Sequence, residues 1–236
     1  QLNGSNIEVV IPSYRPDIEG EADIVEEIIR IYGFEKIEPI SLLKIKNQTE
    51  DILSPSLKSF YKSKRLIANK GYFETVTYSF MDGKVADFIT NNSSIKIKNP
   101  ISNDLDTMRP STFPNLLSAI NPNLSRLYMS GKLFEVGPNF YGVNEEDQKM
   151  VASGIQYGLA NPPSWINEKK DIDVYEIKGD ILYVLDQLNV PVDNLQYENI
   201  NSRIYHPGKS AQLRLGKNII ANFGEISPLV LKRFDI

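Results

Sequence analysis

Residues 132–141 have the sequence KLFEVGPNFY, and residues 150–159 have the sequence MVASGIQYGL. Each stretch contains aromatic or β-branched residues and few charges, a composition that predicts two β-strands close together in the chain. Further strands are predicted at 72–80, 94–98, 210–215 and 218–225. Because few of these strands are joined to the next through a helix, they favour a mainly antiparallel sheet.

Helices are predicted where apolar residues recur three and four positions apart. They cover 21–32, 57–70, 112–126, 176–189 and 227–233. Pro122 is expected to kink or end the third helix, because proline cannot donate a backbone hydrogen bond. The pair Asp82-Gly83 predicts a turn. An antiparallel sheet with helices packed on it is an α+β fold.

Three segments of the chain differ in composition and periodicity. Residues 1–38 contain a short predicted strand at 7–11 and the first helix, and we interpret them as the end of a small domain. Residues 39–56 are polar, contain prolines and are weakly periodic, which predicts a linker. Residues 57–236 predict one larger domain. Because the sequence opens with Gln and almost directly enters a strand, we expect a segment of a longer protein.

The composition excludes several classes of protein and site. The sequence has no cysteine and one histidine, which excludes disulfide scaffolds, cysteine zinc sites, thiol catalysis and histidine-cluster metal sites. No apolar run approaches the roughly 18–20 residues of a membrane span, and no signal-peptide pattern is present. The net charge of −4 excludes a dominant basic surface for nucleic acid, although local basic patches remain compatible with it.

An acidic helix face is the most informative chemical pattern in the sequence RPDIEGEADIVEEIIRIYGF, residues 15–34. On a helix, Asp23, Glu26, Glu27 and Arg30 share an arc of about 100° opposite the apolar face, with Asp17 just before the first turn. Carboxylate oxygens are the ligands that Mg²⁺ prefers. The four acidic residues are therefore candidate metal ligands.

A solvated acidic face is the simpler interpretation of the same spacing. Acidic residues near a helix N-terminus are favourable without any metal, because they oppose the positive end of the helix dipole. Arg30 is also spaced to pair with Glu26 or with Glu27. Spacing alone therefore leaves both interpretations open and favours the solvated face.

The remaining sequence offers no catalytic set. The single histidine, His206, precedes Pro207-Gly208 and is expected to have a structural role in a turn. The predicted helix at 57–70 is basic, which is compatible with contact to phosphates of a nucleic acid but is more typical of a solvated or helix-packing face. Two alternative functions follow from the residues alone: a small Mg²⁺-dependent enzyme, or a nucleic-acid-binding module acting through this helix.

Six segments, in the same order, are similar to blocks of one known family. They are PSYRPDIEGEADIVEEIIRIYGF, GYFETVTYSF, NPISNDLDTMRPSTFPNLLSAI with the following NLSR and KLFEVG, YEIKGDILYVL, HPGKSA and FGEISPLVLKRFDI. Together they span essentially the whole chain and resemble the β subunit of bacterial phenylalanyl-tRNA synthetase. Pro122 departs from the usual helix sequence of that family.

The resemblance implies both a fold and an activity. The β subunit joins a catalytic α subunit in an (αβ)₂ heterotetramer, a cytoplasmic ligase that attaches phenylalanine to tRNA-Phe with ATP. Residues 57–236 would then form a module like a class II aminoacyl-tRNA synthetase core, an antiparallel sheet flanked by helices. Residues 1–38 would form the C-terminal half of a small winged-helix-like domain. The editing and anticodon-binding domains of the family would lie outside this sequence.

The resemblance also implies which residues act. Asp17, Asp23, Glu26 and Glu27 match the four carboxylates that bind Mg²⁺ in the family. Class II synthetases bind ATP through arginines, but the corresponding strand here lacks an arginine before Glu135, and the C-terminal block has no glycine-rich strand ending in arginine. We therefore expect no catalytic or nucleotide-binding residues, and a scaffold that contacts the α subunit through 57–70 and 72–80.

Overall fold

A computed structural model of the chain describes residues 2–3, 6–42, 52–90, 94–161, 164–166 and 168–236. The chain forms two compact units, Gln1–Asp51 and Ile52–Ile236. Half of the predicted linker at 39–56, residues 43–51, lies outside the described residues. None of the helices in the described ranges is long and apolar enough to cross a membrane.

The first unit contains a short strand pair and one main helix. Strands β1 (Leu2–Asn3) and β2 (Asn6–Ile7) are antiparallel, and helix α1 spans Glu21–Tyr32 as predicted. Gly33 follows α1 with a φ of 110°, a conformation that favours glycine, and its N–H bonds to the carbonyl of Ile29. The strand predicted at 7–11 is wrong beyond Ile7, because residues 8–11 have no pairing strand in the described part of the chain.

The second unit, within the described residues, contains five helices and eight strands. The helices are α2 (Pro55–Asn69), α3 (Gly83–Ile89), α4 (Phe113–Leu124), α5 (Val174–Gln187) and α6 (Pro228–Arg233). The strands are β3 (Phe73–Glu74), β4 (Phe80–Met81), β5 (Thr107–Met108), β6 (Gly131–Phe140), β7 (Gln148–Tyr157), β8 (Gln196–Glu198), β9 (Tyr205–Leu215) and β10 (Asn218–Ile226).

The strands of the second unit form three sheets, with the orders β3-β6-β7, β10-β9-β8 and β4-β5. All of their pairs are antiparallel except β3 with β6. The β6–β7 hairpin is the longest, and every residue of β6 opposes a residue of β7 from Gly131↔Tyr157 to Phe140↔Gln148. The mainly antiparallel α+β fold expected from the sequence is therefore confirmed.

Helices cover two of these sheets through two apolar clusters. In the first cluster, α4 and α6 pack on β6 and β7 through Leu116, Leu117, Ile120, Leu133, Ile155 and Val230. In the second cluster, α5 packs on β9 and β10, with Leu213 and Phe223 at its centre. Helix α4 ends at Leu124, two residues beyond Pro122, as expected from the missing donor.

Three local predictions are wrong in the second unit. The stretch 72–80 forms only the two-residue strands β3 and β4. The stretch 94–98 contributes a single bridge, between Lys96 and Thr107. The pair Asp82-Gly83 begins helix α3, because the Asp82 carboxylate accepts the N–H of Lys84 and caps the first turn.

Candidate functional site

The carboxylate of Asp23 caps the N-terminus of α1. Its Oδ2 atom accepts the backbone N–H groups of Glu19, at 2.9 Å, and Gly20, at 2.8 Å. These two bonds favour the ionised carboxylate and lower the pKa of Asp23. Asp23, one of the four predicted metal ligands, therefore has a local role in stabilising the start of the helix.

Arg15 joins two more of the predicted ligands. Its Nη2 atom lies 2.7 Å from Asp17 Oδ2 and 2.6 Å from Glu27 Oε1, and its Nε atom also donates to Asp17. Arg30 occupies the other oxygen of Glu27, with Nη2 at 2.5 Å from Oε2. Hydrogen bonds from Arg15 are the largest cause of the lowered pKa values of Asp17 and Glu27.

The structure brings only part of the predicted metal site together. Asp17 and Glu27 meet through Arg15, Asp23 binds the backbone at the start of α1, and none of these bonds reaches Glu26. Among the residues that the structure describes, no three acidic or histidine side chains gather so that they could hold one ion. The oxygen donors suit Mg²⁺ chemically, but their described arrangement does not fit a shared ion.

A second polar centre lies in the interior and was missed by the sequence analysis. Arg109, directly after β5, is 1% exposed, and its Nη1 atom lies 2.6 Å from Oε1 of Glu135 on β6. Its Nε atom donates to the carbonyl of Pro138 at 2.9 Å. Thr77 donates to the other Glu135 oxygen at 2.7 Å, and Asn115 donates to the Thr77 hydroxyl at 2.9 Å. Both buried charges are therefore paired and hydrogen-bonded.

The sequence contains a signal for this centre that the analysis did not use. Glu135 is a charged residue among apolar neighbours in the strand predicted at 132–141, and a carboxylate buried there requires a cationic partner. Which arginine serves as that partner depends on contacts 26 residues apart in the chain, and spacing cannot identify it. Gly137 leaves the space that Arg109 fills, since a Cβ atom there would lie 2.4 Å from Nη2.

The residues before Glu135 face apolar surroundings. Leu133 belongs to the cluster that contains Leu116 and Leu117 of α4, and Phe134 is also buried. This part of β6 therefore presents packing side chains at the position where a nucleotide-binding arginine was sought in the sequence.

The surface around α2 combines exposed apolar side chains with paired charges. Val76 and Tyr78, which follow β3, are 88% and 72% exposed. Lys64 of α2 lies 2.6 Å from Glu74, and Lys70 lies 3.0 Å from Asp180. Two basic residues of the predicted helix are therefore engaged by acidic neighbours.

His206 lies in β9 and not in a turn before it, so the predicted turn is wrong, but the residue makes a local hydrogen bond. Its Nδ1 atom accepts the backbone N–H of Gly208 at 3.1 Å, and the residue lies at the start of β9. This hydrogen bond supports the backbone at the start of the strand.

Comparison with known protein families assigns both parts of the chain. Residues 41–236 match the family described as "Phenylalanyl tRNA synthetase beta chain CLM domain", and residues 1–34 match the "tRNA synthetase B5 domain". The chain belongs to the phenylalanyl-tRNA synthetase β chain family. The resemblance found in the sequence is therefore confirmed.

Two curated members of the β chain family illustrate the match. The phenylalanine–tRNA ligase β subunit of Rhodospirillum rubrum is 38% identical over 226 residues, which are 95% of this chain and 28% of that protein. The β subunit of Rickettsia prowazekii is 37% identical over 240 residues, which are 100% of this chain and 29% of that protein. The chain thus spans under a third of the length of these relatives.

Solved structures support the fold assignment. The pyrrolysyl-tRNA synthetase PylSc of Desulfitobacterium hafniense superposes with a TM-score of 0.57 at 15% identity, covering 77% of this chain and 62% of that one. A crystal structure of pyrrolysyl-tRNA synthetase from the same organism gives a TM-score of 0.56. Over about three quarters of its length, the chain therefore shares its fold with these two synthetases.

Proposed function

We propose that this chain is part of the β subunit of a phenylalanine–tRNA ligase and acts within that enzyme as a non-catalytic scaffold. The enzyme attaches phenylalanine to tRNA-Phe with ATP, in the cytoplasm, as an (αβ)₂ heterotetramer whose α subunit carries the chemistry. Membership of the β chain family supports the first part of this proposal. The buried Arg109–Glu135 pair supports the second part, the non-catalytic role.

The Arg109–Glu135 pair leaves neither group available to a nucleotide. A phosphate that took the guanidinium away from Glu135 would leave a buried carboxylate unpaired, at a cost of about 3–5 kcal/mol. Leu133 and Phe134, which precede Glu135, supply no charge. The face of β6 that would hold ATP in a catalytic subunit is thus occupied by internal packing.

We propose that the α subunit docks on the surface formed by α2 and residues 73–78. Val76 and Tyr78 are exposed there together with Phe73, and β3 is the edge strand of its sheet. Exposed apolar side chains grouped beside a free strand edge are typical of a surface that another protein covers.

We further propose that Asp17, Asp23, Glu26 and Glu27 are the Mg²⁺ ligands of the complete enzyme, in a first unit that completes a winged-helix-like domain. Four carboxylates supply the hard oxygen donors that this ion needs. Because Arg15 and Arg30 bind two of the four side chains, ion binding requires those side chains to rearrange.

The scaffold proposal is tested by ATP–pyrophosphate exchange and by co-purification. We expect no ATP–pyrophosphate exchange from the chain alone. We also expect the chain to bind the α subunit during co-purification, and the variant V76E/Y78E to lose this binding. The control variant K217E changes an exposed turn between β9 and β10 and should keep full capture. Exchange by the isolated chain would disprove the scaffold role.

A charge-reversed α2 separates the α-subunit contact from tRNA binding. The variant K62E/R65E alters the basic face of α2 without touching Val76 or Tyr78. If it abolishes salt-sensitive tRNA binding by the chain and leaves α-subunit capture intact, α2 is a tRNA contact instead. Loss of α-subunit capture without any tRNA binding supports the docking proposal.

A further inference from the structure

A cavity of about 1000 Å³ in the second unit is lined by strands from two different sheets. Strand β7 contributes residues 150–157, and β10 contributes residues 219–226. Strand β7 is the last strand of the sheet β3-β6-β7, and β10 is the first strand of the sheet β10-β9-β8. Two sheet edges therefore border one cavity, over eight consecutive residues each.

The pairing of β6 shows which backbone groups of β7 lie on its free edge. The carbonyl of Phe134 accepts the N–H of Thr75 at 2.7 Å, so the backbone of Phe134 faces β3 and not β7. Phe134 opposes Gly154, and the two residues of such an antiparallel pair direct their N–H and C=O groups away from each other. By alternation, the same outward direction holds for Ala152 and Gln156. Among the described residues, these outward backbone groups of β7 have no hydrogen-bond partner.

Strand β10 is also unpaired along one side. Beyond its pairing with β9, the hydrogen bonds of the described residues give its backbone one partner, the Tyr205 hydroxyl, which donates to the Asn222 carbonyl at 3.4 Å. A free strand edge is a template for another strand. Two such edges along one cavity offer backbone hydrogen bonds to both sides of a single added strand.

Helices line the rest of this cavity with apolar side chains. Ile181 and Leu185 come from α5, Ile120 comes from α4, and Leu231 comes from α6. Strands that are covered by helices on both faces are apolar in sequence. A strand that fits this cavity is therefore mainly apolar.

We infer that an apolar β-strand, from the segment that follows Ile236 in the complete β subunit, lies between β7 and β10 and joins the two sheets into one. Ile236 itself lines the cavity, so a segment continuing from it reaches the gap directly. The chain covers 28% and 29% of two curated relatives, which leaves ample length for such a segment. This inference rests on the proposal that the chain is part of a longer β subunit.

Hydrogen–deuterium exchange of the chain and of the complete β subunit, without the α subunit, tests the added strand. The outward amides of Ala152, Gly154 and Gln156 should exchange roughly tenfold or more slowly in the complete subunit, because they become hydrogen-bonded. Leu213 is the matched control, since β9 is already paired with β8 and β10 on its two sides. Its amide should be protected in both proteins.

Proline substitution gives a second readout. The N–H of Ala152 faces the free edge, so A152P should be tolerated in the chain, as Pro138 is on the outward-facing side of β6. In the complete subunit A152P removes a bond to the added strand and should lower the melting temperature by roughly 2–4 °C. The N–H of Val151 faces β6, so V151P should lower the melting temperature of both proteins.

The alternative occupants of the cavity give different exchange patterns. Equal exchange of the β7 edge in both proteins, or a slowing that extends equally to Leu213, overturns the inference. Protection that needs the α subunit assigns the strand to that partner, and protection in the chain alone that grows with its concentration assigns it to a second copy; either result also overturns the inference. ATP–pyrophosphate exchange and α-subunit capture test the proposed function separately, so each can fail without the other.

Discussion

Arg109 is the residue on which the interior of β6 most depends. Removing its charge in R109M leaves the Glu135 carboxylate buried without a cation, and the free energy of unfolding should fall by about 3–5 kcal/mol. The double variant R109M/E135L removes both charges and should be less destabilised than R109M alone. Urea denaturation followed by fluorescence measures both differences. Equal stability of R109M and the unaltered chain would contradict a paired buried charge.

A side chain at Gly137 should destabilise the fold. A Cβ atom at this position would lie 2.4 Å from Arg109 Nη2, so G137A should lower the free energy of unfolding by about 1–3 kcal/mol. Gly179 in α5 is the matched control, because nothing lies within 4 Å of its added Cβ atom. G179A should raise stability by about 0.5–1 kcal/mol through helix propensity. A stabilising G137A would show that Arg109 is free to move aside.

At the level of elements, the Asp173 carboxylate that starts α5 should make stability depend on pH. Its Oδ1 atom accepts the N–H groups of Glu176 and Tyr175. The bond from Glu176 and the nearby Lys170 ammonium, together with the bond from Tyr175, lower the pKa of Asp173 below the ordinary value of 3.8. Because the folded-state pKa is lowered, this contribution is present above pH 3.8 and is lost as the pH falls through the folded-state value.

The variants D173A and D173N test this cap. At pH 7, D173A should unfold at a lower urea concentration than the unaltered chain, and the difference should shrink below pH 3.8. D173N keeps an oxygen acceptor that does not titrate, so its unfolding should change less over the same range. A pH-independent difference between D173A and the unaltered chain would contradict the role of the ionised carboxylate.

The elements differ in how far the sequence predicts them. The β6–β7 hairpin and helix α1 are set by local patterns, and the structure places them within about two residues of the prediction. The stretch 72–80 alternates Thr75 and Thr77 with exposed Val76 and Tyr78, as a strand would, but hydrogen-bond partners for the full stretch are absent among the described residues. Partners depend on contacts far apart in the chain, which local periodicity does not contain.

At the acidic face of α1, too, the sequence predicts contacts within the helix but not contacts with the segment before it. The helical arc correctly placed Glu27 and Arg30 side by side, because their spacing fixes the contact. Arg15 lies in the non-helical segment before α1, where no periodicity fixes its direction. Its position between Asp17 and Glu27 therefore came only from the structure.

At the level of the whole molecule, the second unit should fold on its own. Both apolar clusters draw all their residues from within 52–236. Residues 52–236 expressed alone should therefore unfold with the same midpoint as that unit in the full chain. Differential scanning calorimetry compares the two proteins. A markedly lower midpoint for the shorter protein would show that the first unit stabilises the second.

The packing of Leu133 also constrains how this lineage can change. An arginine introduced there by L133R would enter the cluster of Leu116 and Leu117, only two residues along β6 from the Glu135 carboxylate that Arg109 already neutralises. Because that carboxylate is already paired, the introduced guanidinium would be buried among apolar side chains without a partner, and position 133 accepts a charge only if its surroundings change with it.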